Sequence, residues 1–354
     1  MERLRVLYNH ISPLVLFDKS PTTISIKINR PKALNAFNYE ILTSITNLVQ
    51  ENKQLVMVFS STLSKSFCAG GDVNATVEND LIVTEFYRTE LLTFFYISQV
   101  LKTIAIMQGF SIGAGNGLAM SCKYRVATPT TKFSMPENTI GLVPDTGASY
   151  FLSHLRSRAV GLYLMVTGKT LSGVDCFWAK IATHFVPDDK VKDLHEEILK
   201  TGNIEEALNK YSQEPNPGDS ELLRNFVEIE EIFGNTTTID EILRRLDSKS
   251  SDFAKSTFKT ICLLCPLSVK VSLRSFCLGE KKSYKECLEQ DYNIEIQLCF
   301  RRSYNYTTAI TKRFIKKEKG DIPWYPASLS QVTDEMVNTI IANPEGPRLL
   351  VPSN

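Results

Sequence analysis

Polar and apolar residues alternate through TTISIKIN (22–29), the two-residue period of a half-buried strand. FNYEILTSITNLVQENK (37–53) shifts to the three- and four-residue spacing of a helix, and QLVMVFSS (54–61) returns to an apolar run of strand length. A glycine-bearing loop, FCAGGD, follows. Residues 78–102 carry a helical period, TIAIMQG (103–109) reads as another short buried strand, and SIGAGNGLAMSCKY (111–124) runs from small residues into a helix. YRVATPTTKFSM (124–135) is strand-like. Strand and helix alternate, which is an α/β pattern. From about residue 155 the pattern turns helical, beginning with RAVGLYLMVTGKTLSGVDCFWAKIATHFV, and amphipathic segments continue to about residue 318. No Gly/Ser linker divides the chain. The expected organisation is an α/β core over residues 1–200 with a helical C-terminal region, 201–354, packed on it.

Composition narrows this picture little. The 354 residues are 43% hydrophobic, and Lys+Arg 40 against Asp+Glu 39 leaves a net charge of +1, so whole-chain charge predicts neither a nucleic-acid nor a membrane partner. The longest apolar runs fall short of a membrane span. Eight cysteines are scattered without the clustering of a disulfide scaffold. Cys262 and Cys265 form one CxxC, but no second pair or nearby histidine completes a zinc site. Their segment, KTICLLCPLSV, reads as a buried helical stretch with reduced core cysteines, which predicts a reducing, intracellular compartment. The N-terminal MERLRVLYNHISPLVLF has two arginines and an apolar run, but also Glu2 and no small-residue cleavage site, so it is a poor targeting signal.

Three loops carry candidate chemistry. SFCAGGD (66–72) places Ala69, Gly70 and Gly71 directly after a buried strand, where free amides can donate to a developing oxyanion. Taken alone it reads as a tight turn. GFSIGAGNGLAM (109–120) leads small residues into a helix N-terminus, with its unpaired N–H groups; taken alone it reads as close strand–helix packing. Neither loop fits a dinucleotide or P-loop phosphate cradle. The third, FSMPENTIGLVPDTGASYFL (133–152), is apolar and turn-rich yet holds Glu137 and Asp145, each after a proline. Acids are rarely buried unless paired or used. By themselves they read as a helix-start carboxylate and a turn residue. Together the loops make a set in which two amides polarise a carbonyl and a carboxylate acts as base or nucleophile. Such a set suits a thioester or similar acyl group.

INRPKALNAFN (28–38), SFCAGGDV (66–73), FYRTE (86–90), GFSIGAGNGLAMSCKYRVAT (109–128), FSMPENTIGLVPDTGASYFLSHL (133–155) and AKIATHFVP (179–187) are the motifs in question. In them the chain resembles the crotonase (enoyl-CoA hydratase/isomerase) superfamily, and within it the 3-hydroxyisobutyryl-CoA hydrolases. The resemblance implies a crotonase-like spiral core of ββα units and an acyl-CoA substrate. It also implies no cofactor beyond the coenzyme A of that substrate, no metal, and a mitochondrial matrix location. It assigns the oxyanion amides to Gly71 and Ala114, the catalytic acids to Glu137 and Asp145, and a substrate-lining carboxylate to Glu90. It places coenzyme A contacts at Lys32, Ala33, Ala69 and Asp72. Gly117 stands where hydratases carry a second glutamate, as it does in the hydrolases. His184, outside the acid loop, reads as structural.

Two segments depart from the family pattern. Ala148 and Ser149 replace glycines of GGGYFL, and YNYTTAITKRF (304–314) replaces an acidic D-F-x-E-G-V-R-A segment, so that Asn305, Thr308, Ala309 and Thr311 take the place of aspartate, glutamate, glycine and arginine. The latter stretch is basic: Arg301, Arg302, Lys312, Arg313, Lys316, Lys317 and Lys319 stand against Glu318, with Tyr304 and Tyr306 interleaved. Alone this reads as a solvated face; as a phosphate-contacting surface it would suit RNA. Because a hydrolase-like member of the family serves in the small subunit of some mitochondrial ribosomes, the resemblance carries a second expectation. In it the chain is a structural subunit touching ribosomal RNA or ribosomal proteins.

Overall fold

The computed structural model describes residues 12–77, 80–299, 303–342 and 348–352. The chain gathers into two compact units, each discontinuous in sequence. One comprises residues up to 71, 92–133 and 171–219; the other comprises 72–91, 134–170 and those from 220 onward.

The first unit is built on a six-stranded sheet. Its order is β1 (Val15–Lys19), β2 (Thr23–Ile28), β3 (Val56–Ser61), β5 (Thr103–Met107), β7 (Tyr124–Ala127) and β10 (His184–Phe185). β1 pairs antiparallel with β2; every other pairing in this sheet is parallel. A smaller sheet contains β4 (Ser66–Cys68), β6 (Phe110–Ile112), β8 (Lys132–Ser134) and β9 (Leu171–Ser172). The helix expected after residue 37 runs Tyr39–Glu51. Asn38 caps it by accepting from Ile41 N–H, and its buried face is Ile41, Leu42, Ile45, Leu48 and Val49, the three- and four-residue spacing of the sequence. Val56, Val58, Ile104, Ile106 and Val126 pack against Leu194, Ile198, Ile204 and Leu208 of the helices Val191–Thr201 and Ile204–Tyr211.

YRVATPTTKFSM forms two strands rather than one. A turn closed by Thr131 N–H on Thr128 C=O interrupts it, and β7 and β8 enter different sheets. β1 adds a strand that the sequence pattern did not mark.

The second unit is helical. Arg158–Thr167 starts at a Ser157 cap and stops at Gly168, whose φ of 63° closes the helix in the left-handed region. KTICLLCPLSV is not one continuous helix. One helix ends at Leu263 and the next, Pro266–Gly279, begins on the proline, which has no N–H to continue the first. The two are bent by 110°; no single helix among the described residues is long and apolar enough to cross a membrane. Cys262 is exposed and Cys265 buried, and all eight cysteines are free. From Val191 on, the described regular elements are all helical.

Candidate active site

In the first unit, β4 and β6 are parallel neighbours, so the loops leaving their C-terminal ends lie side by side. After β4 comes Gly71, bridged to Phe37; after β6 comes Gly113, with Ala114 opening the helix Ala114–Met120. Ala114 N–H stands at the first position of its helix, where no carbonyl of the same helix can accept it. The two loops touch at Gly115. A Cβ there would stand 2.7 Å from Cys68 Cβ and 2.8 Å from Cys68 C=O, so only glycine lets the loops come this close. The RPKAL turn joins the same set: Ala69 N–H donates to Leu34 C=O at 3.1 Å. Lys32 and Ala33 sit in a tight turn, Pro31–Ala33, and Lys32 is exposed. Asn35 holds that turn, accepting from Arg30 N–H at 2.8 Å and donating to Ser66 C=O at 3.1 Å. Asp72 lies in the second unit, where it accepts from the Asn74 side chain at 3.1 Å.

The acids all belong to the second unit, and there the three predicted ones come together. Glu90 lies on the helix Asp80–Ser98, Glu137 opens a short turn after Pro136, and Asp145 precedes Thr146 and Gly147, both at positive φ. They are only 2%, 7% and 5% exposed, respectively. Burial pushes the Glu137 carboxyl well above the ordinary range, and the charges of Asp145 and Glu90 push it further. Burial, then Asp145, does the same to Glu90. Burial raises Asp145 as well. Carboxyls so placed do not all ionise near neutral pH. One can attack or take a proton while others stay neutral and donate.

Three residues of this site went unmarked in the sequence. Asn138 fixes the turn beside Glu137: its amide donates to Met165 C=O and Val166 C=O, each at 3.0 Å, and its Oδ1 accepts from Ser272 at 2.7 Å. Asp291 and Glu295, both fully buried on the helix Tyr284–Cys299, add two more carboxyls. Asp291 accepts from Gly147 N–H at 2.7 Å and from Ser149 at 2.9 Å. Burial still lifts its carboxyl to about 8. The available signal was their spacing. Like charges four apart weaken a helix, and this pair lies among the buried Leu288, Tyr292, Ile296 and Leu298.

The departing segment packs on the acid loop, for a Cβ at Gly141 would stand 2.9 Å from Tyr306 N. Asn305, where the family has aspartate, clasps the backbone of Tyr325. Its amide donates to Tyr325 C=O at 2.6 Å and its oxygen accepts from Tyr325 N–H at 2.7 Å. Tyr306 bonds Thr76 through its hydroxyl. Arg301 and Arg302 lie outside the described residues. Lys312 is half-buried and donates to Asp321 C=O at 3.0 Å; Arg313, Lys316 and Lys317 are exposed, and Lys316 stands 3.9 Å from Glu318. His184 ends the first unit's sheet, its Nδ1 2.9 Å from the Thr183 hydroxyl.

The profile of the Enoyl-CoA hydratase/isomerase family matches residues 23–341. The chain belongs to this family. Among curated relatives of this crotonase-family chain, the 3-hydroxyisobutyryl-CoA hydrolase, mitochondrial, of Dictyostelium discoideum is 32% identical over 373 residues, covering 96% of this chain and 97% of the relative. The protein of the same name from Homo sapiens is 32% identical over 340 residues, covering 92% and 87%. The crotonase fold recurs in a crystal structure of a carnitinyl-CoA dehydratase from Mycobacterium thermoresistibile. It has TM-score 0.88 and 26% identity, and the match covers 97% of this chain and 100% of the other. An enoyl-CoA hydratase from Rhodobacter sphaeroides has TM-score 0.85 at 26% identity, covering 95% and 99%.

Proposed function

We propose that this crotonase-family protein hydrolyses a short 3-hydroxyacyl-CoA thioester of the 3-hydroxyisobutyryl type. The observation that carries the reading is the buried group of Glu90, Glu137 and Asp145, in a chain whose curated relatives bear the hydrolase name. Gly71 and Ala114 polarise the thioester carbonyl through their N–H groups. Glu137 either attacks that carbon or takes a proton from the water that does. On the first route the C–S bond breaks, the CoA thiolate leaves, and water then cleaves the Glu137 anhydride to return the free carboxylate. On the second, water adds directly and CoA leaves from the tetrahedral intermediate. Asp145 accepts the substrate's 3-hydroxyl and Glu90 lines the acyl end. Lys32, Ala33, Ala69 and Asp72 contact the CoA moiety, which enters as part of the substrate.

Gly117 has no carboxylate to supply a second hydration acid, which favours hydrolysis over hydration. The relatives' names favour a mitochondrial place of action. The test offers purified protein 3-hydroxyisobutyryl-CoA and crotonyl-CoA in parallel. Free CoA from the first supports the reading. Hydration of the second without thioester cleavage would move the protein to the hydratases.

A further inference from the structure

Lys27, Ser60 and Ile106 are each the next-to-last residue of a strand, on β2, β3 and β5 in turn. The three strands run parallel. Lys27 is the register partner of Ser60, and Ile106 stands one residue past the Phe59–Ala105 pair that joins β3 to β5. Their side chains therefore form a row on one face of the first unit's sheet. It is the face of Val56 and Val58, which the helix Val191–Thr201 covers with Leu194 and Ile198. On β2 the same face carries Ser25, whose hydroxyl lies 2.9 Å from His195 Nε2 of that helix.

Toward the carboxyl ends of the strands, where open α/β sheets bind their ligands, this face lines a cavity of about 250 Å³. That is below the roughly 300–1,000 Å³ of pockets for drug-sized molecules, so the occupant is small. Leu63, Ile106 and Val191 give the cavity an aliphatic wall. Ser60, also in the lining, is 9% exposed, and its Oγ meets no hydrogen-bond partner among the described residues. A buried hydroxyl of this kind is a donor short of an acceptor. Beside it on the next strand is the half-buried cation Lys27. Lys192 is exposed and stands 3.7 Å from Glu196. Asp188 lines the cavity too, but its Oδ1 already accepts from Gln108 Nε2 at 2.8 Å and from Thr130 at 2.7 Å. It follows β10, on the opposite side of the sheet from β2, so its charge turns an anion toward Lys27 and Ser60. Burial and the charge of Lys27 push His195 down to about 4, so its ring is neutral at pH 7 and adds no charge.

We propose that this cavity binds a small carboxylate with a short aliphatic body. Lys27 and the Ser60 hydroxyl take the carboxylate, one by charge and the other by a hydrogen bond to an ionised acceptor. Leu63, Ile106 and Val191 take the aliphatic part. Inorganic phosphate would suit the polar end but gains nothing from the aliphatic wall. The site shares no residue with the oxyanion loops or the buried acids, and its binding does not rest on the hydrolase reading above.

The test reads the imidazole of His195 by NMR and needs no acyl-CoA. The chain has 4 histidines, so the Cε1–H signal of His195 is assigned by its loss in His195→Gln. The full chain, at neutral pH and fixed ionic strength, is titrated in parallel with isobutyrate, inorganic phosphate and chloride. Isobutyrate shifts the His195 signal to saturation and leaves those of His154 and His184 in place. Lys27→Met weakens this binding about tenfold or more. Ser60→Ala weakens it severalfold, and keeps the wild-type thermal midpoint because it loses only an unpartnered hydroxyl. No saturable shift with isobutyrate, or wild-type affinity in both variants, overturns the proposal. Saturation by phosphate but not by isobutyrate overturns the carboxylate assignment. A response to chloride that matches isobutyrate shows charge screening alone and overturns the site.

Discussion

Ser149 donates its hydroxyl to Asp291 Oδ1 at 2.9 Å, while Gly147 N–H donates to Oδ2 of the same carboxyl at 2.7 Å. Ser149 stands at a position where the hydrolase pattern has glycine. The side chain that sequence comparison sets beside the acid loop is thus turned onto a buried acid and fastens the turn that carries Asp145.

Asp291 makes stability depend on pH. It keeps its proton in the folded chain up to about 8, whereas an unfolded aspartate loses it near 4. Between those values the folded state binds more protons, so this group's contribution falls as pH rises, by about 1.4 kcal/mol per unit at most. Asp291→Asn is expected to flatten the decline in urea-unfolding free energy between about pH 5 and pH 8. Equal declines in wild type and variant would reject this account of Asp291.

Asn305→Asp restores the family's residue and is expected to harm the protein. An ionised aspartate cannot donate to Tyr325 C=O, and the lost bond at a buried site costs about 1–3 kcal/mol. The thermal midpoint should drop with no gain in CoA release. A more active variant would show that Asn305 is a lost catalytic acid instead.

Gly115→Ala forces a methyl against Cys68, 2.7 Å from its Cβ. Overpacking of this kind costs about 1–3 kcal/mol, and displacing one oxyanion amide costs about a hundredfold in turnover. Steady-state kinetics of the folded variant should show the loss in kcat. Wild-type kcat would mean that the two loops need not lie so close.

Glu90→Gln removes a negative charge that raises the Glu137 carboxyl. Glu137 must be ionised to attack or to take a proton, so activity rises with pH, and the variant's acid limb should move to lower pH. A limb that stays in place would separate Glu90 electrostatically from Glu137.

The strands Thr23–Ile28, Val56–Ser61 and Thr103–Met107 were legible because their burial follows local apolar patterns, and the three predicted acids were legible through motif positions. Other features depend on partners distant in sequence. Val15–Lys19 becomes a strand by pairing with β2, and the 124–135 segment splits because its halves join different sheets. Asp291 and Glu295 are ordinary polar positions of a helix until the acid loop, some 140 residues earlier in the chain, buries them. In sequence, Asn305 marks only a departure from the family pattern. In the structure, Asn305 both donates to and accepts from the Tyr325 backbone, which an ionised carboxylate cannot do.

The central claim is glutamate-dependent thioester hydrolysis, and its most direct measurement is free CoA released from 3-hydroxyisobutyryl-CoA by wild type and Glu137→Gln. The account predicts steady release by wild type and a fall of about a thousandfold or more in a variant with unchanged thermal stability. Release that is absent from wild type, or undiminished in Glu137→Gln, would contradict it.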